Sequence, residues 1–326
     1  MNLIAFIIRN AILRGTPLLY GAVGETITEK SGNLNLGIPG IMAVGAISGY
    51  LGAYFYKESA GAVIGILAIL IPFICCIIGS VIASLIYAFL TVTLRANQNV
   101  SGLALTTFGV GLANFFGSSI VKLSGSTEAY VPLNVIARHF KTLFPFHKNL
   151  GWFGQIFFSY GFLVYLAIAI ALIAAFVLKK TRVGLHLRAV GENPSTADAA
   201  GINVTLYKYA ATCVGGAIAG IGGLFYLMEI ANCTWNQNLL GSIGWLAIAL
   251  VIFALWKPNV AIGASYLFGC LLSIGSALTI STTLQPLIDM LPYVMTIILL
   301  IIISIRNKRE NQPPASLGTN YFREER

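Results

Sequence analysis

Charge is what this sequence has least of. Of its 326 residues, 20 are Lys or Arg and 11 are Asp or Glu, so 10% are charged, against about 25% in soluble domains. A chain with 57% hydrophobic residues and so little charge cannot cover a water-facing surface, and it reads as a polytopic membrane protein. The net charge of +9 does not indicate nucleic acid. A nucleic-acid binder gathers its cations on a face with base-reading or stacking partners, whereas here they fall between apolar runs.

Several kinds of chemistry are missing as well. There is no G-x-x-x-x-G-K-[ST] loop, no G-x-S-x-G and no pair of carboxylates on one helical face, which leaves no nucleotide hydrolysis and little basis for an enzyme. His139, His147 and His186 lie in polar loops without a second ligand at metal spacing. The five cysteines form no C-x-x-C, and four of them sit well inside apolar runs, as small buried hydrophobes do. No small-residue cleavage pattern follows a short apolar core at the N-terminus, so no removable signal peptide is expected. Ionisable residues near membrane depth are limited to Arg9, Arg14, Glu25, Glu229 and Asp289. All lie near the ends of runs or in the first one, where interfacial placement is expected. An ion-driven carrier holds its coupling groups deep in the bundle, so this distribution argues against a self-powered one.

What is present is a series of apolar runs. Residues 1–23, broken by Arg9, Arg14 and Pro17, read as a first span in preference to an interfacial amphipathic helix. A polar piece, Glu25–Asn35, leads through Leu36-Gly-Ile-Pro-Gly40 into the span Ile41–Tyr56. A Gly–Pro cluster at the mouth of a span suggests a discontinuous helix lining a cavity, or else an ordinary loop before a helix start. Ala60–Leu94, Val100–Ile120, Phe157–Leu178, Tyr207–Ile230, Trp245–Leu255, Val260–Ile280 and Leu287–Ile305 follow. In Tyr207–Ile230 the small residues Gly215, Gly216, Ala219, Gly220, Gly222 and Gly223 allow close helix approach.

The expected fold is therefore all-α: a transmembrane bundle of about eight to ten spans over residues 1–309, followed by a flexible tail at 310–326 rich in polar residues. Lys179, Lys180, Arg182, Arg188 and Lys208 in the loop 179–208, with Arg306, Lys308, Arg309, Arg323 and Arg326 in the tail, place both on the cytoplasmic side. The segment Lys122–Leu150 carries Lys122, Arg138, Lys141 and Lys148 against Glu128 alone. It argues the other way, and the flanking spans require it outside.

The loop 179–208 has readable local chemistry. Asn193 can cap a helix, Pro194 suits its first position and Gly201 can adopt the left-handed conformation that ends it, so one short helix of about two turns is expected there. Elsewhere, neutral polar groups are available for a solute path: Asn33, Asn35, Asn97, Gln98, Asn99, Thr106, Thr107, Asn236, Gln237 and Asn238, with Trp235 and Trp245 to stack on a ring. Gly37-Ile-Pro-Gly40 and Gly241-Ser-Ile-Gly244 each open onto an apolar helix, one in each half. Interrupted segments in corresponding positions point to a substrate pathway, and the candidates are Asn35, Gly37, Gly40, Asn99, Thr107, Gly241, Gly244 and Trp245.

Arg188-Ala-Val-Gly-Glu-Asn-Pro-Ser-Thr-Ala-Asp-Ala-Ala-Gly-Ile-Asn-Val204 resembles the cytoplasmic loop of membrane subunits in the branched-chain amino acid, simple sugar and nucleoside class of ABC importers. Ser31–Gly37, Gly40-Ile-Met42, Gly241–Phe253 and Leu291-Pro-Tyr-Val-Met295 match the nucleoside and simple-sugar branch in order, and the likeness covers roughly residues 15–305. One position departs from it: Pro39 stands where the family usually has an acidic residue.

The resemblance implies a permease subunit in a prokaryotic cell membrane, moving a nucleoside or simple sugar handed over by an external binding protein. It implies a second membrane subunit, a related chain, and cytoplasmic ATPase subunits that use ATP and Mg, with no cofactor in this chain. It further implies that Gly191, Glu192, Asn193, Pro194, Ala197, Gly201 and Ile202 form the helix that couples to the ATPase. The alternative from another class is an ATP-independent channel or facilitator for a small neutral polar solute.

Overall fold

The computed structural model describes residues 3–60, 63–124, 131, 133–142, 154, 156–240, 242–277, 290–306 and 312–323. Among them it is an all-α bundle without a strand. Helix α1 spans Leu3–Glu29, α2 Ile38–Ser59 and α3 Gly65–Ala88, the last continued by a π-helical turn at Phe89–Thr93. Then come α4 (Gln98–Leu123), the short α5 (Asn134–Phe140), α6 (Phe162–Lys180), α7 (Arg182–Glu192) and α8 (Pro194–Ala199). Helix α9 (Val204–Phe225) also ends in a π turn, Tyr226–Ile230, and α10 (Ile243–Phe253), α11 (Pro258–Ala277) and α12 (Leu291–Arg306) complete the order. By length and composition α2, α3, α4, α6 and α9 can each cross a membrane.

Helix α1 is the axis of the bundle. It packs along α9 and α11 and touches α6 and α10, with Leu18, Leu19, Tyr20, Ala22 and Val23 fully buried. The sequence reading ends this span at residue 23, but the helix runs on to Glu29 and carries Glu25, Thr26, Thr28 and Glu29 into the interior. The expectation of an interfacial Glu25 is thus corrected: it is wholly buried. Pro17 is accommodated within the helix, and the hydroxyl of the preceding Thr16 donates to Ile12 O at 2.7 Å. Asp289 lies outside the described residues.

Small residues set the contacts between helices. Ser80 and Ser84 of α3 lie against Gly220 and Gly216 of α9. Each hydroxyl is satisfied on its own helix, by Cys76 O at 2.8 Å and Ser80 O at 2.7 Å, so it meets the facing backbone without an unpaired donor.

Two crossings are broken. After α1 the chain does not turn straight into another helix. Residues 33–37 are non-helical and mostly buried, and α2 begins only at Ile38. Gln98 holds Leu34 N at 2.7 Å and Thr106 Oγ1 donates to Leu36 O at 2.7 Å. Thr106 lies eight positions along α4 from Gln98, about 12 Å at a rise of about 1.5 Å per residue, so residues 34–36 climb the bundle before α2 begins. The second break follows α9: residues 231–240 are irregular, with Asn232, Cys233 and Asn238 at positive φ, and α10 starts at Ile243. The apolar run starting at Trp245 therefore yields an eleven-residue helix, too short to cross a membrane alone; in the irregular chain before it Cys233, Trp235 and Leu240 are buried, while Asn232 and residues 236–238 are exposed.

One end of the bundle carries the loop 181–203. It holds two helices where one was expected. In α7, Thr181 Oγ1 accepts from Gly184 N at 3.1 Å, and the helix closes at Asn193. Asn193 then caps α8, accepting from Thr196 N at 3.0 Å, with Pro194 at its first position and Gly201 at φ +82° beyond it, as the sequence chemistry indicates. The tail also differs from expectation. Residues 312–323 are seated against this end: Ser316 N donates to Gly191 O at 3.0 Å and Gly318 N to Gly32 O at 3.3 Å. Asn320 donates to Arg95 O at 2.6 Å and Tyr321 OH to Asp198 Oδ2 at 2.8 Å. The physical reason lies in the surroundings: carbonyls left over at helix ends and turns distant in sequence need donors, and the tail backbone and the Asn320 side chain supply them.

Candidate functional site

The two breaks meet. Gly244, in the first turn of α10, lies so close to Pro39, in the first turn of α2, that a Cβ on Gly244 would stand 2.5 Å from Pro39 Cα. Two helix N-termini, whose first N–H groups lack intrahelical partners, thus face one region of the interior. Beside them is a cavity of about 590 Å³ walled by α2, α4, residues 235–240 and Trp245.

Its polar groups are neutral. Thr106 and Thr107 come from one turn of α4, and Asn114 from two turns further on. Asn114 and Asn238 pair twice: Asn114 Nδ2 donates to Asn238 Oδ1 and Asn238 N donates to Asn114 Oδ1, both at 3.1 Å. Trp235 is buried with its ring 6.1 Å from that of Tyr50, and its Nε1 has no hydrogen-bond partner among the described residues; Trp245 is 40% exposed on the opposite wall. No charged side chain lines the cavity among the described residues.

Of the sequence candidates, Thr107 and Trp245 line this cavity and Gly244 forms its seam with Pro39. Gly40 supports it from behind, packed on the backbone of α4, where a Cβ would come within 2.7 Å of Thr106 Cα. Asn35 and Gly37 do not line it: Asn35 N donates to Glu25 Oε1 at 3.0 Å and Gly37 N to Asn35 Oδ1 at 2.9 Å, a buried turn that shapes the start of α2. Asn99 is exposed at the opposite end of α4, and Gly241 lies outside the described residues. Asn114 was missed because a lone Asn within a long apolar helix carries no local signal of the face it presents.

Below the cavity, toward the loop end, is a buried acidic pair, Glu25 and Glu29, four residues apart on α1; the sequence reading named only Glu25 and expected no carboxylate pair on one helical face, because it ended the span at residue 23. Glu29 accepts a hydrogen bond from Trp256 Nε1, and Glu25 holds Asn35 N. Lys30 follows; burial pushes its ammonium below the ordinary lysine range, against the pull of Glu192.

At the loop end itself, α8 is anchored by a small apolar cluster of Val190, Ala197 and Val204, with Ile202 packed on it. Gly191 is buried against the backbone of Lys30 and Gly32. Glu192, Asn193 and Gly201 remain exposed and Pro194 partly so. Anchored on one side and presented on the other, α8 is a rigid knob linked through Gly191 to the turn after α1.

A family model described as branched-chain amino acid transport system / permease component matches residues 7–303. The chain belongs to that family. It is a multi-pass permease subunit of an ABC importer, not an enzyme. The permease is 32% identical over 308 residues to the nucleoside ABC transporter permease protein NupC of Lactococcus lactis subsp. cremoris, covering 92% of each chain. It is 31% identical over 350 residues to the putative glucose ABC transporter permease protein TsgC13 of Haloferax volcanii, covering 99% of each. It is likewise 32% identical over 309 residues, 92% of each chain, to the guanosine ABC transporter permease protein NupQ of Bacillus subtilis.

Proposed function

We propose that the permease passes a nucleoside through the cavity between Trp235, Asn114 and Trp245. The observation that carries this reading is the lining: two indoles that can stack on a base, paired Asn and Thr groups that can hydrogen-bond its edges and sugar, and no charge. A volume of about 590 Å³ suits a small-molecule site of roughly 300–1,000 Å³. The names of the nucleoside and guanosine relatives support the same choice; the putative glucose relative keeps a simple sugar as the second reading.

In this reading an external binding protein delivers the solute, and a second, related membrane subunit covers the open side of α4, where Leu103, Phe108 and Phe115 are exposed. The cations Lys179, Lys180, Arg182 and Arg188 at this end favour the cytoplasmic side for it and for the C-terminus by the positive-inside tendency. There α8 docks on an ATPase subunit, which binds ATP and Mg. Closure of the ATP sites moves α8, and Gly191 passes the motion to the turn below α2.

Uptake of a labelled nucleoside into cells with and without this chain tests the proposal, with unlabelled nucleosides and pentoses as competitors and with ATP depleted in parallel. Chain-dependent uptake that needs ATP and is competed only by nucleosides is the expected result. Competition by sugars alone replaces the substrate, and uptake that survives ATP depletion replaces the importer with a facilitator.

A further inference from the structure

A second cleft, of about 370 Å³, opens at the loop end between the close of α3, the start of α9 and residues 321–323 of the tail. It is separate from the Trp235 cavity and differs from it in charge. Three elements each contribute a cation: Arg95 after α3, Lys208 in the second turn of α9 and Arg323 from the tail. The one acid lining it among the described residues, Asp198, is already engaged, accepting from Tyr321 OH at 2.8 Å and pairing with Arg323 at 3.3 Å.

Lys208 is the telling residue. It is 4% exposed, and its ammonium makes no hydrogen bond or ion pair with any described residue. A buried ammonium is unfavourable unless an anion meets it. The setting is suited to one. Helix α9 begins here, 22 residues long, and Asn203 Oδ1 takes only Leu206 N, so other first-turn N–H groups and the positive end of the helix dipole face the same space.

We propose that this cleft binds a phosphate-type oxyanion, from a soluble metabolite or a lipid headgroup, with Lys208 as its buried ligand and Arg95 and Arg323 at its rim. Carboxylates of the chain do not fill that role among the described residues. An occupant bridges α9 to the tail that holds Asp198 of α8, so its binding stiffens the surface around α8.

The full chain in nanodiscs of zwitterionic lipid is titrated with inorganic phosphate, against chloride at matched ionic strength, while the thermal unfolding midpoint is followed. A second set of nanodiscs contains phosphatidylglycerol. Wild type, Lys208→Met and Arg95→Gln are compared. The expected result is a rise in midpoint with phosphate or with phosphatidylglycerol, and an apparent affinity about tenfold weaker in Lys208→Met, as loss of one charge-assisted contact implies. A response to phosphate assigns the site to a soluble anion, and a response to the lipid alone assigns it to a headgroup. The same response in all three chains, or none to either anion, overturns the proposal. Lys208→Met removes an unpaired buried charge and is expected to fold; exposed Arg95 provides a readable variant if it does not.

Discussion

Pro39 and Gly244 lie in van der Waals conflict with any side chain larger than hydrogen at 244: an added Cβ would stand 2.6 Å from Pro39 Cβ as well as 2.5 Å from its Cα. The first turns of α2 and α10 are therefore locked together at the edge of the cavity. Gly244→Leu should force them apart at a cost of about 1–3 kcal/mol, the usual range for overpacking. Uptake should be abolished while the permease still co-purifies with its ATPase, which uptake and pull-down on the same membranes will check.

Trp245 has only 40% of its surface exposed yet offers a ring to the cavity. Its replacement by Ala should raise the KM for nucleoside uptake about tenfold, equivalent to about 1.4 kcal/mol of lost stacking. An unchanged KM, measured with normal amounts of protein in the membrane, would remove Trp245 from the path.

Asn193 ends α7 and caps α8 with one side-chain oxygen. Asn193→Ala should destabilise that junction by about 1 kcal/mol. Transport and substrate-stimulated ATPase activity should fall together with membrane insertion intact. Asn193→Asp keeps a capping oxygen and should restore much of both; no rescue would point to a contact beyond the cap.

Residues 312–323 donate to Gly191, Gly32 and Arg95 carbonyls. Deleting the chain from residue 312 onward should expose those groups. Hydrogen exchange should then speed up across 191–199 and at the turn after α1, with little change in α9. Equal protection in both chains would show that the tail contributes nothing to the order of α8.

Trp256 is the described donor to Glu29 Oε2, deep in the interior. Trp256→Phe keeps most of the ring and removes the donor, leaving a buried carboxyl oxygen short of a partner at a cost of about 1–3 kcal/mol. A lower thermal midpoint with an unchanged substrate preference is expected in purified protein.

The sequence by itself determined the features whose causes are local. Scarce charge and long apolar runs dictate a helical bundle in a membrane. Asn193, Pro194 and Gly201 dictate the start and stop of α8, because capping and positive φ are settled within a few residues. The Gly–Pro opening before α2 left a discontinuous helix and an ordinary loop both open; α2 starts at Ile38 and takes Pro39 and Gly40 into its first turn, where a proline's missing N–H costs nothing. Only the tertiary structure decided what depends on neighbours distant in the chain. Glu25 and Glu29 read as the polar end of a span, yet α9, α10 and α11 close around α1 and bury them. Asn114 enters the cavity because residues 235–240 fold back to meet it, and the polar tail is ordered because Gly32, Gly191 and Arg95, far apart in sequence, leave carbonyls facing one groove. Burial and hydrogen-bond satisfaction are properties of the surroundings, and no stretch of a dozen residues contains its own.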